Sequence, residues 1–159
     1  MNDRYAELCA WLARFPLSII QLAMRIAVGA AFFRSGLLKI GSWEFAVQLF
    51  RNEYKVPLLD PVLAAKLATA VELGVPWFLF LGLATRAATL PLLGMIAVIQ
   101  IFVYPNAWSD HLIWGSILVF LLTRGPGLLS VDYLVTRLLG RSEQSPRRAP
   151  VPASAGPRS

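Results

Sequence analysis

Two charged residues lie deep inside long apolar runs, and no other feature restricts the fold of this chain so tightly. Arg25 falls within the run 16–38 and Glu72 within 62–82. A third run covers 86–104, and a shorter one covers 112–123. A bilayer core about 30 Å thick is crossed by roughly 20 apolar residues in a helix. Ionisable residues inside such segments face protein or water, take a partner and mark function.

Composition agrees with a membrane chain. Of 159 residues, 57% are hydrophobic and mean hydropathy is +0.60, above the roughly 45–50% apolar content of soluble domains. The first apolar run reads as a transmembrane helix and not a cleavable leader, because Arg34 and Lys39 follow it where a small-residue cleavage site would stand. The net charge of +6 is concentrated past the last apolar run, where six arginines lie at or beyond Arg124. That is a positive-inside signal, and nucleic acid is not an expected partner. Cys9 stands alone, so no intramolecular disulfide forms and dithiol exchange is not expected. With one histidine, His111, no metal site is expected within the chain.

These runs predict an all-α membrane protein, a four-transmembrane-helix bundle with short interfacial helices. Residues 1–15 read as an N-terminal amphipathic lead-in, 16–139 as the membrane domain and 140–159 as a disordered basic tail. Between the first two spans, Trp43, Ala46, Val47 and Phe50 recur at helical spacing and predict an interfacial helix. Pro57 and Pro61 break the chain before the second span. The short turn 82–86 makes the second and third helices antiparallel neighbours, and Ser130 reads as the N-cap of a last amphipathic helix over 131–139. The distribution of Lys and Arg predicts that both termini face the cytoplasm.

Counted from their helix starts, Arg25 and Glu72 reach similar depths, about 14 Å, which predicts a buried Arg25–Glu72 pair. That pair would fix the bundle's register or line a site for a polar head group or a proton. Pro76 has no N–H to give the Glu72 carbonyl four residues earlier. Ala23, Ala27 and Ala31 form a small-residue stripe for helix packing, and Gly29 and Gly36 thin the Arg25 face. Gln100 reads as a hydrogen-bonding residue toward a neighbouring helix. His111, with Tyr104 and Trp108 close by, marks a candidate quinone or proton site, or simply a belt of interfacial aromatics.

The motifs occur in a recognisable order. Arg25 to Lys39 reads R-I-A-V-G-A-A-F-F-R-S-G-L-L-K, followed by Glu72-Leu73-Gly74, then Gly82-Leu83-Ala84-Thr85-Arg86, then Gly125-Pro126-Gly127-Leu128-Leu129-Ser130-Val131-Asp132. Over about 17–135 the chain resembles the DoxX family of small bacterial membrane proteins. Ser35 stands where many members carry histidine, so no role of that histidine transfers. The resemblance implies a four-helix membrane bundle acting as an accessory subunit of a quinone-linked or thiol/sulfur redox system. If the chain takes part in an enzyme, it is as an oxidoreductase subunit. The stretch 49–59 together with 102–108 is similar to a subgroup associated with metal-stress peptides, which implies a non-catalytic partner in copper or oxidative stress as the alternative. A small proton-coupled transporter is a third reading. Expected partners are the lipid bilayer and either another protein or a second copy of the chain.

Overall fold

The computed structural model describes residues 2–57 and 59–142, with the side chains of 2–3 and 140–142 excepted. Every regular element among them is helical: α1 (Asn2–Ala13), α2 (Leu17–Gly41), α3 (Trp43–Leu49), α4 (Pro61–Leu81), α5 (Thr85–Val98), α6 (Trp108–Arg124) and α7 (Val131–Ser142). Two π-helical turns, Phe50–Tyr54 and Ile99–Val103, extend α3 and α5. Three segments are long and apolar enough to cross a membrane: Leu17–Gly41, Pro61–Leu81 and Thr85–Val103. α6 has 17 residues, about 26 Å at 1.5 Å per residue, and is shorter than those three. The chain is thus a multi-pass membrane protein with three evident spans, and the fourth expected span falls on the shorter α6. Helix α7 runs to Ser142, beyond the expected end at 139, and the rest of the expected tail lies outside the described residues.

Local chemistry sets the boundaries. Asp60 caps α4 by accepting from the amides of Val62 and Leu63 at 2.9 and 3.2 Å, and Pro61 occupies the first helical position. α4 continues unbroken through Pro76. Gly82 ends it in the left-handed conformation at φ 66°. Ser130 accepts from the Tyr133 amide at 3.2 Å, the N-cap bond the sequence predicts.

The buried side chains form two clusters. Near the α4–α5 turn, Val28, Leu79, Ala88, Leu92, Leu118 and Leu121 interlock α2, α4, α5 and α6. At the opposite end Phe50 packs on Ala64 and Ala65 of α4. Large apolar residues such as Ile26, Leu38, Trp77, Leu90 and Ile113 are exposed over the outer faces of the helices, the surface a lipid-embedded bundle presents.

Helix α2 meets α4 through glycine. A methyl group built on Gly29 would lie 2.6 Å from Phe80, and one on Gly36 would lie 2.8 Å from Leu73 and 3.1 Å from Glu72 Cβ. Backbone contact this close needs residues without side chains. The alanine stripe expected beside them plays a smaller part. Ala23 and Ala27 are exposed and Ala31 is half-buried, because the packing face of α2 runs through Arg25, Gly29 and Gly36.

Candidate functional site

The glycine register corrects the expected pairing of Arg25 with Glu72. Gly36 sits against Glu72, whereas Arg25 is level with Gly82 at the end of α4. Eleven residues separate Arg25 from Gly36, about 16 Å along the axis. Depth counted from helix starts misses this, because α2 has 25 residues against 21 in α4 and its first turns project beyond the α4–α5 turn.

Arg25 is fully buried and donates through Nη2 to the Leu129 carbonyl. Around it the 125–130 loop is tied down twice more: Gln21 donates to the Gly125 carbonyl at 3.1 Å, and the Leu128 amide donates to Ser18 Oγ at 3.1 Å. Asp132 accepts from the amides of Ala84 and Thr85 at 2.7 and 3.0 Å, capping α5 from another element. The motif residues of the turn and of the chain's ending therefore form a backbone clamp at one end of the bundle.

Glu72 takes different partners. Lys39 Nζ lies 2.7 Å from both carboxylate oxygens, and Ser35 Oγ donates to Oε1 at 3.0 Å. Lys39 also reaches Ser35 Oγ at 2.9 Å, closing a triangle. The Glu72 side chain is 5% exposed and that of Lys39 16%. Because Lys39 is close to the end of α2, its stem carries the ammonium inward to the carboxylate. The sequence signal for this pair is the spacing of Gly36 and Lys39, one helical turn apart at the end of α2.

The triangle borders two cavities. The larger, about 330 Å³, is walled by α4 and α5 and covered by the π-helical turn through Phe50 and Tyr54, with Lys39, Glu72 and Tyr104 on its lining. The smaller, about 200 Å³, holds Asp110, His111 and Trp114 from α6, with Ser35 and Glu72 on its other wall. The expected cluster of His111, Tyr104 and Trp108 is thereby divided. Tyr104 faces the first cavity, His111 the second, and Trp108 is exposed and lines neither of them.

Sequence patterns missed the π-helical turns. Each closes with an i→i+5 bond, Lys55 N to Phe50 O at 3.1 Å and Tyr104 N to Ile99 O at 2.8 Å, and such turns recur at functional sites. They bring Tyr54 and Tyr104 together with ring centroids 5.9 Å apart. Tyr104 donates to Glu53 at 2.5 Å. That bond, then burial, raises the Tyr104 phenol above its ordinary range, and burial raises Tyr54. On α6, His111 Nδ1 lies 2.5 Å from Gln100 Oε1. Gln100 Nε2 donates to the Pro105 carbonyl at 2.7 Å, so the amide oxygen faces the ring and Nδ1 carries the proton.

Among the described residues no group of three or more His, Cys, Asp or Glu is placed to hold a metal ion. No curated protein and no solved structure matches the chain. The DoxX profile matches residues 20–105, more than half of the chain, from α2 through the second π-helical turn, and includes Arg25, Ser35, Lys39, Glu72 and Tyr104. The chain belongs to the DoxX family.

Proposed function

We propose that this protein is an accessory subunit of a membrane redox system and takes a quinone-type ring in the larger cavity. The observation that carries this reading is the pairing of an apolar chamber with one buried polar wall. Binding sites for small lipophilic molecules have that design, with a few polar groups fixing orientation. The Lys39 ammonium and the Tyr54 phenol are donors suited to ring oxygens, and the Phe50, Val56 and Met95 side chains suit a flat apolar face. A bound quinone would supply two-electron chemistry. The chain's own residues bind and orient it, and Glu72 holds the Lys39 side chain in place through two contacts of 2.7 Å. Electrons would come from a protein partner, with α6 as a fourth span and both termini in the cytoplasm of a bacterial inner membrane.

Purification from native membranes in mild detergent, followed by mass spectrometry of lipophilic molecules and co-purifying proteins, tests the reading. A stoichiometric quinone that is lost in Lys39→Met supports it. A protein partner with no quinone in the wild type refutes the quinone site and leaves a scaffolding role.

A further inference from the structure

The larger cavity is not sealed on its α4–α5 side. Leu67 of α4 lines it and is 50% exposed, and Val98 of α5 lines it and is 37% exposed. Between them Pro91 and Gly94 are exposed while also lining the cavity. A methyl group built on Gly94 meets nothing within 4 Å. The deep wall contrasts with this, since Ala64 is 5% exposed and Glu72 4%. All four mouth residues lie within membrane-crossing segments, Pro61–Leu81 and Thr85–Val103. This side of the cavity therefore faces acyl chains, while Leu59 and Tyr104, 40% and 42% exposed, line a second edge just outside those segments.

Size decides what can pass and what can stay. A cavity of about 330 Å³ lies at the small end of the range of about 300–1,000 Å³ for small-molecule sites. A single substituted ring fits such a space, and a long hydrocarbon tail attached to it does not. The tail of any such ligand must leave the cavity, and the gap at Gly94 is a path with no side chain in it.

We infer that Gly94, Pro91 and Leu67 form a lateral portal through which a ligand with a compact polar head and a long apolar tail enters from the bilayer, its tail remaining in the α4–α5 gap. The inference rests on the ligand-site reading above and adds the direction of access and the class of ligand, a tailed amphiphile with a hydrogen-bond-accepting ring. Gly94 serves by lacking a side chain. A large group there would fill the gap and leave the polar wall at Lys39 and Glu72 unchanged.

The test compares two probes on the full chain in lipid nanodiscs, a long-tailed ubiquinone and its tailless head-group analogue. Gly94→Trp should lower retention of the long-tailed quinone by about tenfold or more and change binding of the tailless one less than about twofold, since a steric block discriminates by the group it excludes. Gly94→Ala should behave as wild type, because its methyl group meets nothing. Leu67→Trp should reproduce Gly94→Trp from the facing helix, and unchanged melting temperatures establish that both variants fold. Equal retention of both probes by Gly94→Trp overturns the portal while the ligand site stands. Equal loss of both also overturns it, by placing Gly94 in the head chamber. A wild-type protein that binds neither probe refutes the ligand site, and the portal with it.

Discussion

Replacing Lys39 and Glu72 singly and together by apolar residues of similar size should give strongly non-additive destabilisation. The ion pair is bidentate, 2.7 Å to each oxygen, with side-chain exposures of 16% and 5%. At an effective dielectric of about 20, unit charges at 2.7 Å attract by about 6 kcal/mol. Desolvation cancels most of that gain, so the intact pair contributes far less than its gross attraction. Removing one member is different, because the other charge stays buried without compensation. Lys39→Met strands Glu72 against Gly36 and Leu73 and should cost about 3–5 kcal/mol. Glu72→Leu should cost less, about 2–3 kcal/mol, because Lys39 lies two residues from the end of α2 and can snorkel outward. The double variant removes both charges and should cost no more than about 2 kcal/mol, which leaves a coupling energy of at least about 3 kcal/mol. Unfolding in mixed micelles with increasing denaturing detergent measures all four proteins. Single-variant costs that add to within about 0.5 kcal/mol in the double variant would mean that the pair is not coupled, and the account of the buried triangle would fail.

Other expectations follow from single contacts. Gly36→Ala should destabilise the bundle by about 1–3 kcal/mol through overpacking against Leu73, whereas Gly74→Ala, whose methyl group meets nothing, should be neutral in the same melting assay. Asp132→Ala removes two bonds to the start of α5 and should cost about 1–2 kcal/mol, with faster amide exchange at Ala84 and Thr85; unchanged exchange there would show that the cap is dispensable. The folded Tyr104 phenol sits above its ordinary value. Its contribution is therefore fully present below about pH 10 and is lost as pH rises through the folded value. The residue is 42% exposed, so solvent screening keeps the effect under about 1 kcal/mol. An alkaline titration of tyrosinate absorbance should lose its latest-ionising component in Tyr104→Phe, and loss of an ordinary component instead would contradict the Tyr104–Glu53 bond.

Much of the architecture was legible in residue patterns because hydropathy and helix punctuation are local properties. Runs of apolar residues marked the three evident spans, Ser130 marked the cap of α7, and the periodicity of 43–50 marked α3. Inter-helix register was not legible, since it depends on how far each helix extends past its neighbour. Arg25 and Glu72 therefore looked like partners when counted from their own starts. Residues without side chains set the true offset: Gly29 faces Phe80 and Gly36 faces Leu73. The cavities were hidden for a related reason. They lie between two clusters of buried residues that share no member, one near the turn and one under Phe50, and a gap between clusters leaves no trace in periodicity.

The division between the two ends has a physical reason. A lipid-embedded bundle has little hydrophobic drive to close on itself, because a void between helices can be filled by lipid or ligand as well as by side chains. Such a bundle keeps an open chamber only if its helices are fixed elsewhere. The clamp supplies that fixation with directional bonds: Arg25 to Leu129, Gln21 to Gly125, and Asp132 to the amides of Ala84 and Thr85. Each joins segments far apart in the chain, and none depends on filling the space near Glu72. Arg25 accordingly acts as a positioning residue whose charge does not reach the cavity, and Glu72 with Lys39 is left to define the polar wall. Citrulline introduced at position 25 keeps an Nη donor for Leu129 at the same reach and should preserve ligand retention far better than Arg25→Leu, which has none, even though both changes remove the charge. Equal loss in the two would show that the charge, and not the bond to the 125–130 loop, is what the chamber requires.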